Sequence, residues 1–510
     1  MTAGSFTVLT DSVGDIDTSD FLTMFELYQK VFVVNGSNLK VIDFLNTKIV
    51  DADDFTTKPS KGDLVYQAGT DAAIILVDYI DSANTVLYGY PVSGTIEATT
   101  AITTAVSGGG TVVFPSPAAP VSGPHWYDWT VYDNHSDYGT VTDKAYLGCN
   151  YRGRAVLSGN PGYPHQWYMS RQGDPWDFNY APNDALSAVA GNNANAGEIG
   201  DIIRAIIPYK DQYLIFGCAS SMWYLRGDPA ISGTIDSFDE TIGIYGANSW
   251  CFSSDALYFF GTGGIYKCQL NDSGPSRPML MTAFSLPNIV DDEAPNPSTH
   301  RITMAYDAKK IGIVVAITKL SDGTNSNYWY SLKTDGFFPE EYPEECAAYS
   351  MMYYDANDKD LSGLLIGGRD GYINTFKDSA KDDDTGPVDE AIDSHCVLPI
   401  TKLSEGEDRD AVVKSMTVVT SGGASSGDFG DTDGVDYERH VADDAETCLE
   451  NIVDGDTAFD SGTLSGTGRK NRIRNRMRGQ YMGIKLSNTT ASETWAIDDV
   501  SFDVKESGRK

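Results

Sequence analysis

Residues 213–228 read YLIFGCASSMWYLRGD: two apolar runs, with Ala-Ser-Ser between them and Gly-Asp at the end. Short apolar runs bounded by turn residues are the pattern of a β-hairpin. The pattern recurs on both sides. ALYFFGTGGIYKCQL at 256–270, LLIGGRDGYINTF at 364–376 and KVFVVNGSNLKVIDF at 30–44 repeat it. RAVLSGNPGYPHQWYMS at 154–170 and IGIVVAITKLSDGTNSNYWYSL at 311–332 are longer versions. Most copies follow a further strand: HWYDWTVYD, DIIRAIIPY, ANSWCFS, RITMAYD or AAYSMMYYD. A small sheet repeated every ~40–50 residues is the signature of a β-propeller. Six hairpins predict an all-β chain with a six-bladed propeller, seven blades being the alternative. Helical periodicity is scarce; DFLTMFELYQK at 20–30 has room for a helical turn or two before a strand at 31–34.

The first hairpin lies far upstream of the second. Residues 1–46 are therefore an N-terminal segment with the first propeller hairpin, and 47–120 an inserted small β-barrel. The insert ends in the Gly/Pro-rich SGGGTVVFPSPAAPVSGP. Residues 121–376 form the propeller and 377–395 an acidic linker, KDSAKDDDTGPVDEAID. Residues 396–510 carry the runs VVKSMTVVT, YMGIKLS and WAIDDVSFDV, which predict a C-terminal β-sandwich.

Composition narrows the function. The 510 residues carry 37 Lys+Arg against 72 Asp+Glu, a formal charge of −35. A field of that sign repels phosphate, which argues against a general nucleic-acid binder but not against a protein that DNA must pass without sticking. MTAGSFTVLT lacks the basic start and apolar core of a secretory signal, and the runs AAIILV and IGIVVAI are too short to span a bilayer. Seven scattered cysteines without a CxxC pair read as reduced thiols of a protein made in the cytoplasm.

GRAVLSGNPGYPHQWYMSRQGDPWDFNY, DIIRAIIPYKDQYLIFGCASSMWYLRGDP and GIYGANSWCFSSDALYFFGTGGIY resemble the propeller of podovirus tail hub or nozzle proteins, the families called tail tubular protein B and packaged-DNA stabilisation protein. Ser170, Gly173, Asp174, Pro175 and Phe178 match one family element. Ile203, Pro208, Asp211, Leu214, Phe216, Ser221, Trp223, Leu225 and Gly227 match the next. An Arg-rich strand, YMGIKLSN, TWAIDDVSFDV and the terminal SGRK resemble the family's close. The resemblance spans about three quarters of the chain and excludes the insert and the acidic linker. It implies a structural virion protein in the phage tail. Six copies would form a ring below the portal and its adaptor, or head-tail connector, that retains packaged DNA and conducts it during ejection. Tail fibre or needle proteins are further partners, DNA in the lumen is a transient one, and membrane insertion is not expected.

No catalytic motif competes with that reading. SRQGDPWDF at 170 lacks the spacing of the Asp box of sialidases, no GxSxG elbow exists, and Gly108–Gly110 lack the Lys-Ser/Thr of a phosphate loop. Fold alone does not make a glycosidase. No enzyme activity and no cofactor are expected. The loop oxygens of Asp428, Asp431 and Asp433 are the best candidates for a cation, yet they miss the EF-hand register. A carbohydrate-binding or glycosidase-like propeller adhesin is the alternative function, and a propeller scaffold of cellular origin a third.

The scarce cations gather in one run. Arg469, Lys470, Arg472, Arg474, Arg476 and Arg478 place six positive charges within ten residues. The last four arginines alternate with Ile473, Asn475 and Met477, which predicts one strand with four guanidiniums on a single face. Such a row needs an answer. It comes from the subunit's own acids, from a carboxylate-rich neighbour or adaptor, or from DNA.

Overall fold

The computed structural model describes residues 9, 16–17, 21–51, 58–81, 85–104, 110–131, 145–191, 196–254, 256–359, 362–377, 380–384, 389–404, 409–421, 434–465 and 470–509. Strands dominate, with two short helices and one 3-10 turn among the described residues. The chain divides into two compact units, Met1–Tyr306 with Thr334–Phe337, and Asp307–Lys333 with Phe338–Lys510. No helix among the described residues is long and apolar enough to cross a membrane.

The hairpin at 213–228 explains the first unit. All six residues of the strand Tyr213–Cys218 are buried. Leu214, Phe216 and Cys218 join a core with Leu147, Trp167 and Met169. Tyr213 and Ile215, on the other face, join Leu257, Phe259 and Tyr266. A strand covered on both faces reads as an unbroken apolar run, which is why the stretch does not alternate. Its sheet runs Ile203–Tyr209, Tyr213–Cys218, Met222–Arg226, Thr234–Asp239, all antiparallel. The sheet before it comprises Leu147–Tyr151, Arg154–Asn160, Tyr163–Met169 and Val189–Ala190. The sheet after it is built on Trp250–Phe252, Ala256–Gly261 and Gly264–Asn271.

The first sheet departs from expectation twice. Thr23–Leu27 is a strand and not a helical turn, because Phe25 stacks on Phe32 and Leu27 is buried while Met24 and Glu26 are exposed, a period of two. His125–Asp128 does not lead the second sheet. It closes the first, pairing His125 with Asp43 and Trp126 with Ile42 across the insert.

The insert is a seven-stranded antiparallel sheet in the order Val121–Ser122, Thr47–Val50, Val86–Ser93, Ala73–Ile80, Leu64–Gln67, Ile102–Thr103, Val112–Phe114. Ile49, Val65, Ile75, Val77, Leu87 and Phe114 make its core. The expected closed barrel is a half-barrel. The end strands, of two and three residues, pair on one side only, and strands that short cannot complete a ring of hydrogen bonds.

Charge pins the insert to the sheets. Lys30 Nζ of the first sheet, 2% exposed, lies 2.6 Å from Asp78 Oδ2 of the insert. Lys61 Nζ sits 3.0 Å from Asp174 Oδ1, in the Gly-Asp-Pro turn, and 4.7 Å from the Trp176 ring centre. Burial pushes the Asp78 carboxyl up, but Lys30, Lys61 and the Asn46 amide outweigh it and hold it below the ordinary carboxylate value. A depressed folded value contributes stability that is present at neutral pH and lost as pH falls below ~4, where the unfolded group protonates. Asp78→Asn should therefore cost ~2 kcal/mol at pH 7. The gap from wild type should narrow as denaturation is repeated towards pH 3; a gap that stays constant with pH would exclude the carboxylate as its source.

The second unit holds the hairpin Gly312–Lys319/Asn325–Ser331 and a sheet of Ala348–Tyr354, Gly363–Gly368 and Ile373–Thr375. The acidic stretch expected to be plain linker contains a two-stranded ribbon, Asp382–Asp384 with Asp389–Ala391. Asp382 ties it down by accepting from Ser492 N and Oγ. Beyond it two sheets face one core of Val413, Met416, Val418, Val435, Met477, Ile484 and Leu486. One has the order Ser394–Lys402, Tyr481–Asn488, Gly434–Ala442, Asp460–Ser465. The other centres on Arg409–Ser421, with Ala496–Arg509 on one side and Lys470–Ile473 and Met477–Gly479 on the other.

Candidate interaction site

The basic run lies on that second sheet, but not as one strand. Ile473 pairs with Met416 and Met477 with Val413, so residues 474–476 leave the ladder. The cause is in the central strand. Its pairing with Ala496–Arg509 shifts between Val413 and Ser415, which leaves Lys414 as a bulge. Val413 and Met416 can then both face the core, each fully buried. The facing edge follows them by ejecting Arg474, Asn475 and Arg476 as a short loop.

The loop is clamped from beneath. Asn475 Nδ2 donates to Asp460 Oδ1 at 2.6 Å. Arg439, with no exposed side-chain surface, donates through Nε to Asp460 Oδ2 at 3.0 Å and forms a second bond to that oxygen through Nη2. Arg439 Nη2 also reaches the Asn475 carbonyl at 3.2 Å. Burial raises the Asp460 carboxyl, but Asn475 and Arg439 overcome this and leave it below its ordinary value.

The arginines now sort into pairs. Arg472 donates from Nε and Nη2 to Ser415 Oγ, at 3.2 and 3.0 Å. Arg478 Nε meets Asp410 Oδ2 at 2.9 Å. Arg474 and Arg476 are exposed and have no hydrogen-bond or ion-pair partner among the described residues. Lys470 is exposed at the start of the first segment. Arg469 lies outside the described residues, as do Asp428, Asp431 and Asp433. Among the described residues no group of three or more His, Cys, Asp or Glu side chains is placed to hold a metal. The site is thus two guanidiniums, free among the described residues, on a clamped loop, suited to carboxylate or phosphate.

Sequence reasoning found the arginines and missed Arg439, Asp460 and Asp410, which nothing in the local pattern marks. It also missed what Asp228 does. Asp228, held at a turn by Gly227 at φ +82°, receives Arg154 Nε and Nη2 from the preceding sheet at 3.1–3.3 Å. Residues that carried the resemblance have structural work: Ser170 Oγ accepts from Ala155 N at 3.0 Å, and Leu214, Phe216 and Leu225 are core.

No protein-family model matches the chain, and no curated protein matches it. Among solved structures it is similar to an auxiliary nutrient binding protein from Bacteroides ovatus, at 9% identity over 74% of this chain and 90% of that one, with a TM-score of 0.25. It is similar also to the phage phi92 endosialidase, at 11% identity over 73% of this chain and 65% of that one, with a TM-score of 0.24. Scores this low carry no argument about architecture or activity.

Proposed function

We propose that the chain is a structural protein of a short-tailed phage particle. In this reading its successive sheets form a six-bladed propeller bearing the half-barrel insert and the C-terminal sandwich. About six copies form a nozzle ring below the portal and adaptor, which retains packaged DNA and conducts it during ejection. One observation carries the proposal: a chain of formal charge −35 holds two exposed guanidiniums with no partner among the described residues, on a loop whose Asn475 is tied to Asp460 through its amide and to the buried Arg439 through its carbonyl. Rigid presentation of a charge that finds no partner among the described residues suits a docking contact, where ordering costs are met in advance. The matched residues support it by serving as turns and core, the parts that a scaffold needs.

Particles assembled without this chain should lose their genome. Added wild-type chain should restore retention, and the Arg474→Gln/Arg476→Gln variant should not. A chain that fails to associate with particles overturns the proposal. Turnover of host polysaccharide by the purified chain, abolished by a single Asp→Asn change, would favour the adhesin reading instead.

A further inference from the structure

The sheet that presents the basic loop has a second edge. Ala496–Arg509 is a fourteen-residue strand that pairs with Arg409–Ser421 along its length and with no other strand among the described residues. A long open edge is a template for another strand unless charge or a bulge blocks it, and this edge has both, so whatever docks there must answer its charge. Here the edge carries exposed acid. Asp503 spends part of its charge on Lys414, 3.4 Å away. Asp498 and Asp499 are exposed and have no ion pair among the described residues. The ladder shifts between Val419 and Thr420, opposite Asp499 and Ile497, so Asp498 stands out of register as a bulge.

One sheet therefore has a basic edge and an acidic edge, on opposite sides of the same central strand. Both edges run antiparallel to that strand, and so parallel to each other. We infer that the occupant of the basic edge is the acidic edge of a second copy of this chain. Copy after copy joins head to tail, Arg474 and Arg476 of one meeting Asp498 and Asp499 of the next. Each join has the same polarity and uses both edges once, so the contact is heterologous and propagates until it closes. DNA would answer the arginines, but its phosphates would have to approach through the field of a chain of formal charge −35. A separate acidic protein would need only the basic edge. The inference rests on the assembly reading above and names the partner within it.

The test uses the full chain and two charge-reversed variants, Arg474→Glu/Arg476→Glu and Asp498→Lys/Asp499→Lys, with mass in solution read by sedimentation or native mass spectrometry. Wild type should self-associate. Each variant alone should associate about 100-fold or more weakly, since like charges then face each other across every join. Thermal melting, compared at a dilution where wild type is also monomeric, should be unchanged, because all four side chains are exposed. An equimolar mixture of the variants should regain assembly, as alternating copies with an even subunit number. Wild-type oligomers that survive both reversals would overturn the inference and leave the assembly reading standing. Loss on reversing the arginines alone, with the aspartate variant normal, would also overturn it and point to a different acidic partner. A wild-type chain that stays monomeric at every concentration and salt would overturn both.

Discussion

Arg154→Met should lower the stability of the first unit by about 3–5 kcal/mol, the range for a buried charge left without its partner. The Arg154 side chain has no exposed surface. Its guanidinium reaches Asp228 in the next sheet through Nε and Nη2, and the carbonyls of Ser170 and Ser187 through Nη1 at 2.8 and 2.6 Å. Methionine fills much of the volume but strands the Asp228 carboxylate and the two carbonyls in a place water reaches poorly. Among the described residues the Asp228 carboxylate then keeps a local hydrogen bond, accepting from Ala230 N. Arg154→Lys should recover less than half of the loss, because one ammonium cannot span a carboxylate and two carbonyls at fixed spacing. Urea unfolding of the three chains is the measurement. A loss under ~1 kcal/mol for Arg154→Met would mean that the clamp is energetically idle.

Asp460→Asn should cost a similar ~3–5 kcal/mol in the C-terminal sandwich, and its second consequence is functional. The variant keeps every arginine of the basic run. It leaves Arg439 buried without a counter-charge and weakens the hold on Asn475, so the 474–476 loop loses its fixed shape. Association should fall with the cationic charge of the loop intact, which separates shape from charge. Asp460 is the better position to change than Arg439. Arg439 Nη1 is buried with no hydrogen-bond partner among the described residues, so removing the arginine relieves one cost while creating another. Hydrogen exchange at residues 474–476, compared between the two chains, reads the loosening directly. Unaltered exchange together with unaltered association would show that the clamp does not organise the loop.

The strand content was legible because burial on both faces leaves an unbroken apolar run, as at 213–218. Pairing across long separations was not: nothing near residue 125 shows that it closes a sheet begun at residue 23. In the basic run, alternation marked which residues face out, Arg472 and Arg478 among them. The break between the two segments escaped because its cause, the bulge at Lys414, sits on a different strand. Asp460 and Arg439 carry no local signal either. A buried ion pair is a property of two positions brought together by the fold, and each alone looks like a surface charge in an acidic chain.

The first sheet also bears on how the chain is made. Its fourth strand, His125–Asp128, leaves the ribosome long after Leu39–Asp43, and closing a flexible loop of residues 44–124 would cost about 4 kcal/mol in chain entropy. The insert removes most of that cost. Thr47–Val50 pairs with Val121–Ser122, so once the insert has folded around its own core its two ends already lie side by side. The strand that completes the first sheet is then delivered to its place by a neighbouring fold, and synthesis from the N-terminus favours an insert that matures before the sheet that encloses it in sequence.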